Sequence, residues 1–262
     1  MSLIAKMRPE PGLRVLVTAG ASGIGKAIAE AFLEADARVH LCDVSQAAID
    51  TFLELHPDVG ASLADVSDEP AVDRMFEDVQ GRLGGLDVLI NNAGIAGPTG
   101  KVDEIDPDEW RRTIDIDLTG QFLVVRRAVP LLRAAGGGLI VNISSVAGRL
   151  GYALRTPYAA AKWGVVGLTA SLAKEVGPDG IRVNAILPGI VRGERIDKVI
   201  AARAKSLGRP HGEVEQTYLE KVSLRRMVEP DDVAAMALLL AAPAGQNISG
   251  QALSVCGNVE TL

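Results

Sequence analysis

The segment Pro157–Gly164 reads PYAAAKWG and sets a tyrosine four residues before a lysine, with only alanines between them. Residues four apart share one face of an α-helix, so Tyr158 and Lys162 would point the same way. An ammonium about 4 Å from a phenol favours the phenolate by about 4 kcal/mol at an effective dielectric constant near 20. The pair is therefore a candidate general acid or base. The spacing alone is weak support, because a packed tyrosine beside a solvated lysine is the commoner arrangement.

Three further polar segments come at the ends of apolar runs. NISSVAG carries Ser145, NNAG covers Asn91–Gly94, and LPG covers Leu187–Gly189. The carboxyl ends of parallel strands meet at one edge of a sheet, where open α/β folds bind their ligands. We expect these segments to converge on that edge with Tyr158 and Lys162.

A glycine-rich turn, TAGASGIG, covers Thr18–Gly25 between a β-branched run and a helical pattern. Glycines allow positive φ angles and let backbone N–H groups approach a phosphate at the start of a helix. Three glycines in a turn are weak support alone, and simple turn chemistry is the alternative. The position of the turn between a strand and a helix favours a dinucleotide site.

Asp43 follows Gly25 by 18 residues and ends the next apolar run. A carboxylate there accepts hydrogen bonds from ribose hydroxyls and repels a 2′-phosphate. The alternative role for Asp43 is to cap the following helix, but Ser45 is better placed for that. The sequence therefore predicts NAD rather than NADP as the cofactor.

Seven short apolar runs alternate with helical patterns along the chain. The predicted strands are RVLVTA, ARVHLCD, GASLAD, LDVLINNAG, GGLIVNISS, IRVNAILPG and ALSVCG. The predicted helices include a long one from about Pro107 to Ala135 and another over Thr156–Val176. Nearly continuous apolar strands between helices indicate a parallel sheet covered on both faces. We predict an α/β fold: a single-domain, Rossmann-type, doubly wound parallel sheet of seven strands, with helices on both faces and no linker within residues 1–262. The charged segment Arg192–Val228 breaks the pattern and is a predicted substrate lid.

Composition excludes several classes of function. The chain has 27 Lys and Arg against 33 Asp and Glu, and no basic block interleaved with aromatic residues, which argues against nucleic-acid binding. The apolar run Ala234–Ala242 is too short to span a membrane. Two cysteines imply no disulfide framework, the first residues lack the apolar core of a secretion signal, and we assign no metal ligands. We expect a cytoplasmic protein.

The order of these motifs resembles the short-chain dehydrogenase/reductase family from about Leu13 to Gly257. The matching elements are the glycine turn, DV at Asp65–Val66, NNAG, NISS, PYAAAK and RVNAILPG, and Ser145 precedes Tyr158 by 13 residues as in relatives. The resemblance implies that Tyr158 transfers the proton, Ser145 hydrogen-bonds the substrate oxygen, and Lys162 holds the nicotinamide ribose.

The resemblance also assigns the remaining site positions. Asp117 stands where the family has an asparagine whose backbone carbonyl holds a relay water. The cofactor contacts are assigned to Gly20, Ser22, Gly23, Ile24, Gly25, Asp43, Asp65, Val66, Asn91, Ala93, Gly94, Tyr158, Lys162, Pro188, Gly189 and Val191.

Three positions depart from the family pattern. Ala19 replaces a glycine, and its methyl is tolerable only if its φ is negative; otherwise cofactor binding should suffer. Asp117 replaces the helix asparagine, and its carboxylate could alter proton flow. Gly193 replaces a threonine that would contact the nicotinamide carboxamide.

The predicted activity is hydride transfer between NAD and a small polar secondary alcohol or ketone, such as a sugar, polyol or hydroxy acid. Two alternatives remain: a 3-oxoacyl-thioester ketoreductase, which would more often use NADPH, and a catalytically quiet dinucleotide-binding sensor. Four arginines lie near the expected pocket mouth, where they either favour an anionic substrate or are simply solvated: Arg149, Arg155, Arg192 and Arg195. We also expect a homotetramer, because Thr156–Val176 carries small residues on several faces and relatives pair this helix across a dimer axis.

Overall fold

Seven parallel strands form one sheet in the order β3-β2-β1-β4-β5-β6-β7, in a computed structural model that describes residues 2–259. The strands are β1 (Arg14–Thr18), β2 (Arg38–Asp43), β3 (Gly60–Leu63), β4 (Val88–Asn91), β5 (Gly138–Ile143), β6 (Ile181–Pro188) and β7 (Ala252–Val255). The order reverses direction at β1, which pairs with both β2 and β4. That reversal creates the crevice in which doubly wound folds bind ligands. The predicted fold is confirmed.

Helices cover both faces of this sheet. They are α1 (Gly23–Glu34), α2 (Gln46–Leu55), α3 (Glu69–Leu83), α4 (Pro107–Ile114), α5 (Gly120–Ala134), α6 (Thr156–Val176), α7 (Glu194–Leu207), α8 (His211–Glu220) and α9 (Pro230–Ala241). Alternate residues of each strand face opposite sides, so Val15 and Val17 pack with α1, α2 and α9, whereas Leu16 packs with α3, α5 and α6. The strands are apolar on both faces because both faces are buried.

The predicted helix from Pro107 to Ala135 is wrong in its middle. A π turn over Asp115–Thr119 separates α4 from α5. A π turn holds one residue more than an α turn, and such turns are frequent at functional sites. Asp117 lies at the centre of this one and is fully buried.

The segment Arg192–Val228 contains α7 and α8, to which the sequence analysis assigned no helices. Its charged residues obscured an apolar spacing of four, as in Val214 and Tyr218 of α8. Both helices contribute to a small apolar cluster of their own: Ile190, Ile200, Ala204, Val214, Tyr218, Val222, Met227 and Val259. The segment is thus an ordered pair of helices beyond the end of β6, and its movement as a lid stays a prediction.

Hydropathy along the helices bears on membrane insertion. Within residues 2–259, no helix combines the length and the apolar character needed to cross a bilayer.

Candidate active site

The glycine turn joins β1 to α1 and leaves the start of the helix open. Ser22 is the N-cap residue, and in the described part of the chain its side chain makes no capping hydrogen bond. The first N–H groups of a helix have no partner within the helix, so those of this turn are free to bind an anion. The positions of Gly20 and Gly25 leave no room for a side chain. A Cβ on Gly20 would lie 2.8 Å from Leu41 Cβ, and a Cβ on Gly25 would lie 2.6 Å from Asn92 Nδ2.

Ala19 adopts φ of +48°, which is the unfavourable case considered for this position. The left-handed conformation costs an alanine about 1–2 kcal/mol relative to glycine. Asn92 holds the strained residue by donating from Nδ2 to the carbonyl of Thr18 at 3.0 Å and of Ala19 at 3.1 Å. Thr18 Oγ1 in turn accepts from the N–H groups of Asn92 and Ala93, both at 2.9 Å. Sequence reasoning did not single out Thr18 or Asn92, although the NNAG motif contains the latter.

Asp43 connects the end of β2 to the glycine turn. It is 7% exposed, and its carboxylate accepts from the N–H of Ala21 at 3.3 Å and of Ser45 at 3.1 Å. Ser45 caps α2 by accepting from the Ala48 N–H, as its position predicts. The carboxylate is therefore fixed beside the turn and does not cap the helix.

Asn91 and Asp65, two other positions expected to contact the cofactor, differ in exposure. The Asn91 side chain is fully buried, and its Nδ2 donates to the carbonyl of Gln121 at 2.9 Å and to Asn142 Oδ1 at 3.3 Å. Asp65 is exposed and accepts from the backbone and hydroxyl of Ser67. Val66 beside it is buried.

Cys42, next to Asp43, is not a candidate nucleophile. The thiol is fully buried, and burial raises its pKa to about 12. It therefore stays protonated and is part of the apolar packing.

The end of β5 packs against the first turns of α6, and the contacts are made by the two residues that precede Ser145. Ser144 Oγ donates to the carbonyl of Lys162 at 2.8 Å, and Lys162 Nζ donates to the carbonyl of Ile143 at 3.2 Å. Ser145 is 9% exposed, and its hydroxyl accepts from the Ala147 N–H at 3.1 Å. Lys162 Nζ lies 5.7 Å from the centre of the Tyr158 ring.

Asp117 forms a buried ion pair with Lys162. The carboxylate and the lysine side chain are 0% and 3% exposed, and Oδ2 lies 3.5 Å from Nζ. Oδ1 accepts from the N–H of Ile95 at 2.6 Å, whereas Oδ2 has no hydrogen-bond partner within residues 2–259. Gly94 lies against both groups: a Cβ there would be 3.1 Å from Lys162 Nζ and 3.2 Å from Asp117 Oδ1. The segment after β4, the π turn and α6 therefore meet at one point.

A family model described as enoyl-(acyl carrier protein) reductase matches residues 18–258. The chain belongs to the short-chain dehydrogenase/reductase family. Among its relatives, a cis-4-hydroxycyclohexanecarboxylate dehydrogenase of Sinomonas cyclohexanicum is 38% identical over 92% of this chain and 94% of its own. A sorbitol dehydrogenase of Cereibacter sphaeroides is 36% identical over 94% of this chain and 96% of its own.

Solved structures of the short-chain dehydrogenase/reductase fold superpose closely. A variant actinorhodin polyketide ketoreductase with NADPH has a TM-score of 0.91 at 32% identity, covering 96% of this chain and 98% of its own. NAD⁺-bound xylitol dehydrogenase has a TM-score of 0.90 at 28% identity, covering 95% of this chain and 99% of its own. Members of the family thus bind either nicotinamide dinucleotide.

Gly193 stands where the family resemblance leads us to expect a threonine. Gly193 has φ of +138°, which glycine adopts readily and a threonine would not. Pro188 ends β6, and Gly189 is pressed against Cys256, whose Cα would lie 2.8 Å from an added Cβ. Val191 forms an isolated parallel bridge with Val228. A threonine at position 193 would therefore be strained in this backbone conformation.

The four arginines separate into two pairs. Arg149 donates to Ser254 Oγ and to the carbonyl of Ala252, and Arg192 pairs with Glu229 at 2.9 Å. Both of these arginines are exposed and make their contacts at the surface of the protein. Arg155 and Arg195 instead lie beside the ring of Tyr158.

Proposed function

We propose that the chain is an NAD-dependent dehydrogenase/reductase that interconverts a small secondary alcohol and its ketone. The observation that carries the proposal is the packing of the end of β5 against α6, where Ser144 Oγ donates to the carbonyl of Lys162 and Lys162 Nζ donates to the carbonyl of Ile143. Ser145 follows these β5 residues directly, and Tyr158 lies one turn before Lys162 on α6. A quiet dinucleotide sensor would have no need of those three side chains together.

The proposed roles of Tyr158, Ser145 and Lys162 are those that membership of the family implies. Tyr158 takes the proton from the alcohol hydroxyl during oxidation and returns it during reduction. Ser145 holds the substrate oxygen through its hydroxyl. Lys162 binds the ribose of the cofactor. Asp117 forms an ion pair with the lysine and so fixes its position.

The residues of the glycine turn fit a nicotinamide dinucleotide. The open N–H groups at Gly23, Ile24 and Gly25 and the unused hydroxyl of Ser22 would hold the phosphates, as at other helix N-termini. Asp43, Asp65 and Val66 would border the adenosine, and the segment Asn91–Gly94 with Pro188, Gly189 and Val191 would border the nicotinamide. When bound, the cofactor supplies the hydride acceptor or donor.

Asp43 favours NAD over NADP. We expect wild type to bind NAD at least about tenfold more tightly, because the fixed carboxylate repels a 2′-phosphate. Asp43→Asn keeps an acceptor oxygen for the N–H groups of the turn but removes the negative charge. It should therefore reduce the difference in affinity between NAD and NADP. Isothermal titration with both cofactors measures this, with Asp50→Asn on the exposed side of α2 as the control. Tighter binding of NADP by wild type would contradict the proposal.

The substrate is proposed to be a cyclic alcohol or a polyol. Support comes from the relatives, which are named for a hydroxycyclohexanecarboxylate and for sorbitol. The test is NAD reduction by purified protein against a panel of such alcohols, with acetoacetyl thioester and NADPH as the competing pair. We expect turnover with at least one cyclic alcohol or polyol. Turnover of the thioester alone would favour the ketoreductase instead.

We further propose one cytoplasmic domain that assembles as a homotetramer. Phe122 of α5 and Trp163 of α6 are 48% and 52% exposed, and large apolar side chains on neighbouring helices favour a protein contact. A second copy packed on these helices would cover both.

A further inference from the structure

Three cationic groups surround the ring of Tyr158. The guanidinium carbons of Arg155 and Arg195 lie 5.1 and 5.8 Å from the ring centre, and Lys162 Nζ lies 5.7 Å from it. Asp117 pairs with the lysine. Neither arginine takes part in any ion pair found within residues 2–259. Two positive charges therefore remain uncompensated beside the proposed proton-transferring group.

Arg155 carries one of these charges in the interior. The residue is 3% exposed, one of its terminal nitrogens donates to the carbonyl of Ala96, and its buried Nε has no hydrogen-bond partner among the residues that the structure describes. The Tyr152 ring lies on another side, 5.3 Å from the guanidinium carbon. Burial raises the pKa of Tyr152, with Tyr218 adding to the effect, so this phenol stays neutral and offers no counter-charge. Buried arginines are almost always paired, which makes this one unusual.

Arg195 carries the second charge from a different element. It lies in the first turn of α7, on the segment that follows β6 and Gly193. The acid beside it, Glu194, pairs with Lys198 at 3.2 Å, and Arg192 pairs with Glu229. Arg195 is exposed and projects over Tyr158 rather than toward either acid.

We propose that the substrate is a carboxylate-bearing alcohol or ketone, and that Arg195 binds its carboxylate while Arg155 supplies buried positive charge beneath it. The inference rests on the proposed function, because it assigns the substrate class of the same site. A guanidinium recognises a carboxylate through parallel N–H bonds, and a low-dielectric wall strengthens that attraction. A neutral polyol would leave both charges unmatched.

The phosphates of the cofactor are the competing anion. They belong to the glycine turn after β1, whereas the arginines lie beyond β5 and β6. Since β4 lies between β1 and β5, the two places are separated by about two strand spacings, or roughly 10 Å. The arginines therefore face the reacting end of the site.

The test uses 4-oxocyclohexanecarboxylate and its primary amide, which differ in charge and hardly in shape. With the full chain and NADH, we expect wild type to have a KM for the acid about 10- to 100-fold below that for the amide, the range for a hydrogen bond to a charged group. Arg195→Met should reduce the ratio of the amide KM to the acid KM to near one, and Arg195→Lys should restore part of the preference for the acid. Arg192→Met is the matched control, because it removes a neighbouring charge that is paired elsewhere, and it should keep the wild-type ratio.

Calorimetric titration of both probes into the protein with NAD decides the matter without turnover. Preferential binding of the acid that is lost in Arg195→Met supports the proposal even if neither probe reacts, in which case only the proposed activity on this ketone fails. Equal binding of acid and amide to wild type, or binding of neither, overturns the proposal. The proposal is also overturned if Arg192→Met lowers the preference for the acid as much as Arg195→Met does. It is overturned as well if Arg195→Met weakens NADH binding as much as it weakens acid binding.

Discussion

Tyr158→Phe is expected to lower turnover by about 10²–10⁴-fold, the usual contribution of a positioned acid or base. The substitution keeps the ring, beside which Arg155 and Arg195 lie, and deletes only the hydroxyl. The variant should therefore fold and bind NAD as wild type does. Steady-state kinetics with the best substrate of the alcohol panel measures the loss of turnover. Circular dichroism checks the folding of the variant, and cofactor titration checks its NAD binding.

Tyr218→Phe is the matched control for this experiment. Tyr218 is buried in α8, and its hydroxyl bonds to that of Tyr152 at 2.9 Å. Removing it should cost about 0.5–1.5 kcal/mol of stability and leave turnover within a few-fold of wild type. A Tyr158→Phe protein that is folded, binds NAD and works at the wild-type rate would remove the catalytic role from Tyr158.

The strands and the helix that carries the tyrosine were predictable because their signals are local. Thr156–Val176 has the same bounds in sequence and structure, and the i, i+4 rule places Tyr158 and Lys162 on one face. Most strands are β-branched apolar runs that can be recognised on their own, whereas β3 (GASL) has a weaker pattern. The edge at which Ser145 and the glycine turn lie then follows from the parallel order of the strands.

The surroundings of Lys162 were not predictable, because they depend on contacts between distant segments. Nothing in the sequence near Asp117 shows that its carboxylate reaches the lysine 45 positions later, and the π turn that carries it interrupts an otherwise regular helical pattern. The positive φ of Ala19 is likewise imposed from outside the turn, by hydrogen bonds from Asn92. Local patterns predict elements, whereas buried charge pairs and strained residues are properties of the assembled fold.

Lys162→Met is expected to lower the free energy of unfolding by about 3–5 kcal/mol, in addition to weakening NAD binding and turnover. The stability loss arises because Asp117 is fully buried and would lose its cation, and an uncompensated buried charge is strongly destabilising. The Ile95 N–H would remain its one hydrogen-bond donor. Denaturant unfolding measures the stability, and calorimetry measures the NAD affinity.

Asp117→Asn in the Lys162→Met background separates the two roles of the lysine. The amide keeps an oxygen for the Ile95 N–H but carries no charge, so the double variant should be more stable than Lys162→Met alone. Its NAD affinity should stay low, because the amine that holds the ribose is still missing. Stability then recovers while binding does not, and the double-mutant cycle gives an interaction energy between the two residues of about 0.5–3 kcal/mol. If the effects of the two substitutions on unfolding simply add, Asp117 and Lys162 do not stabilise each other, and the lysine serves only the cofactor.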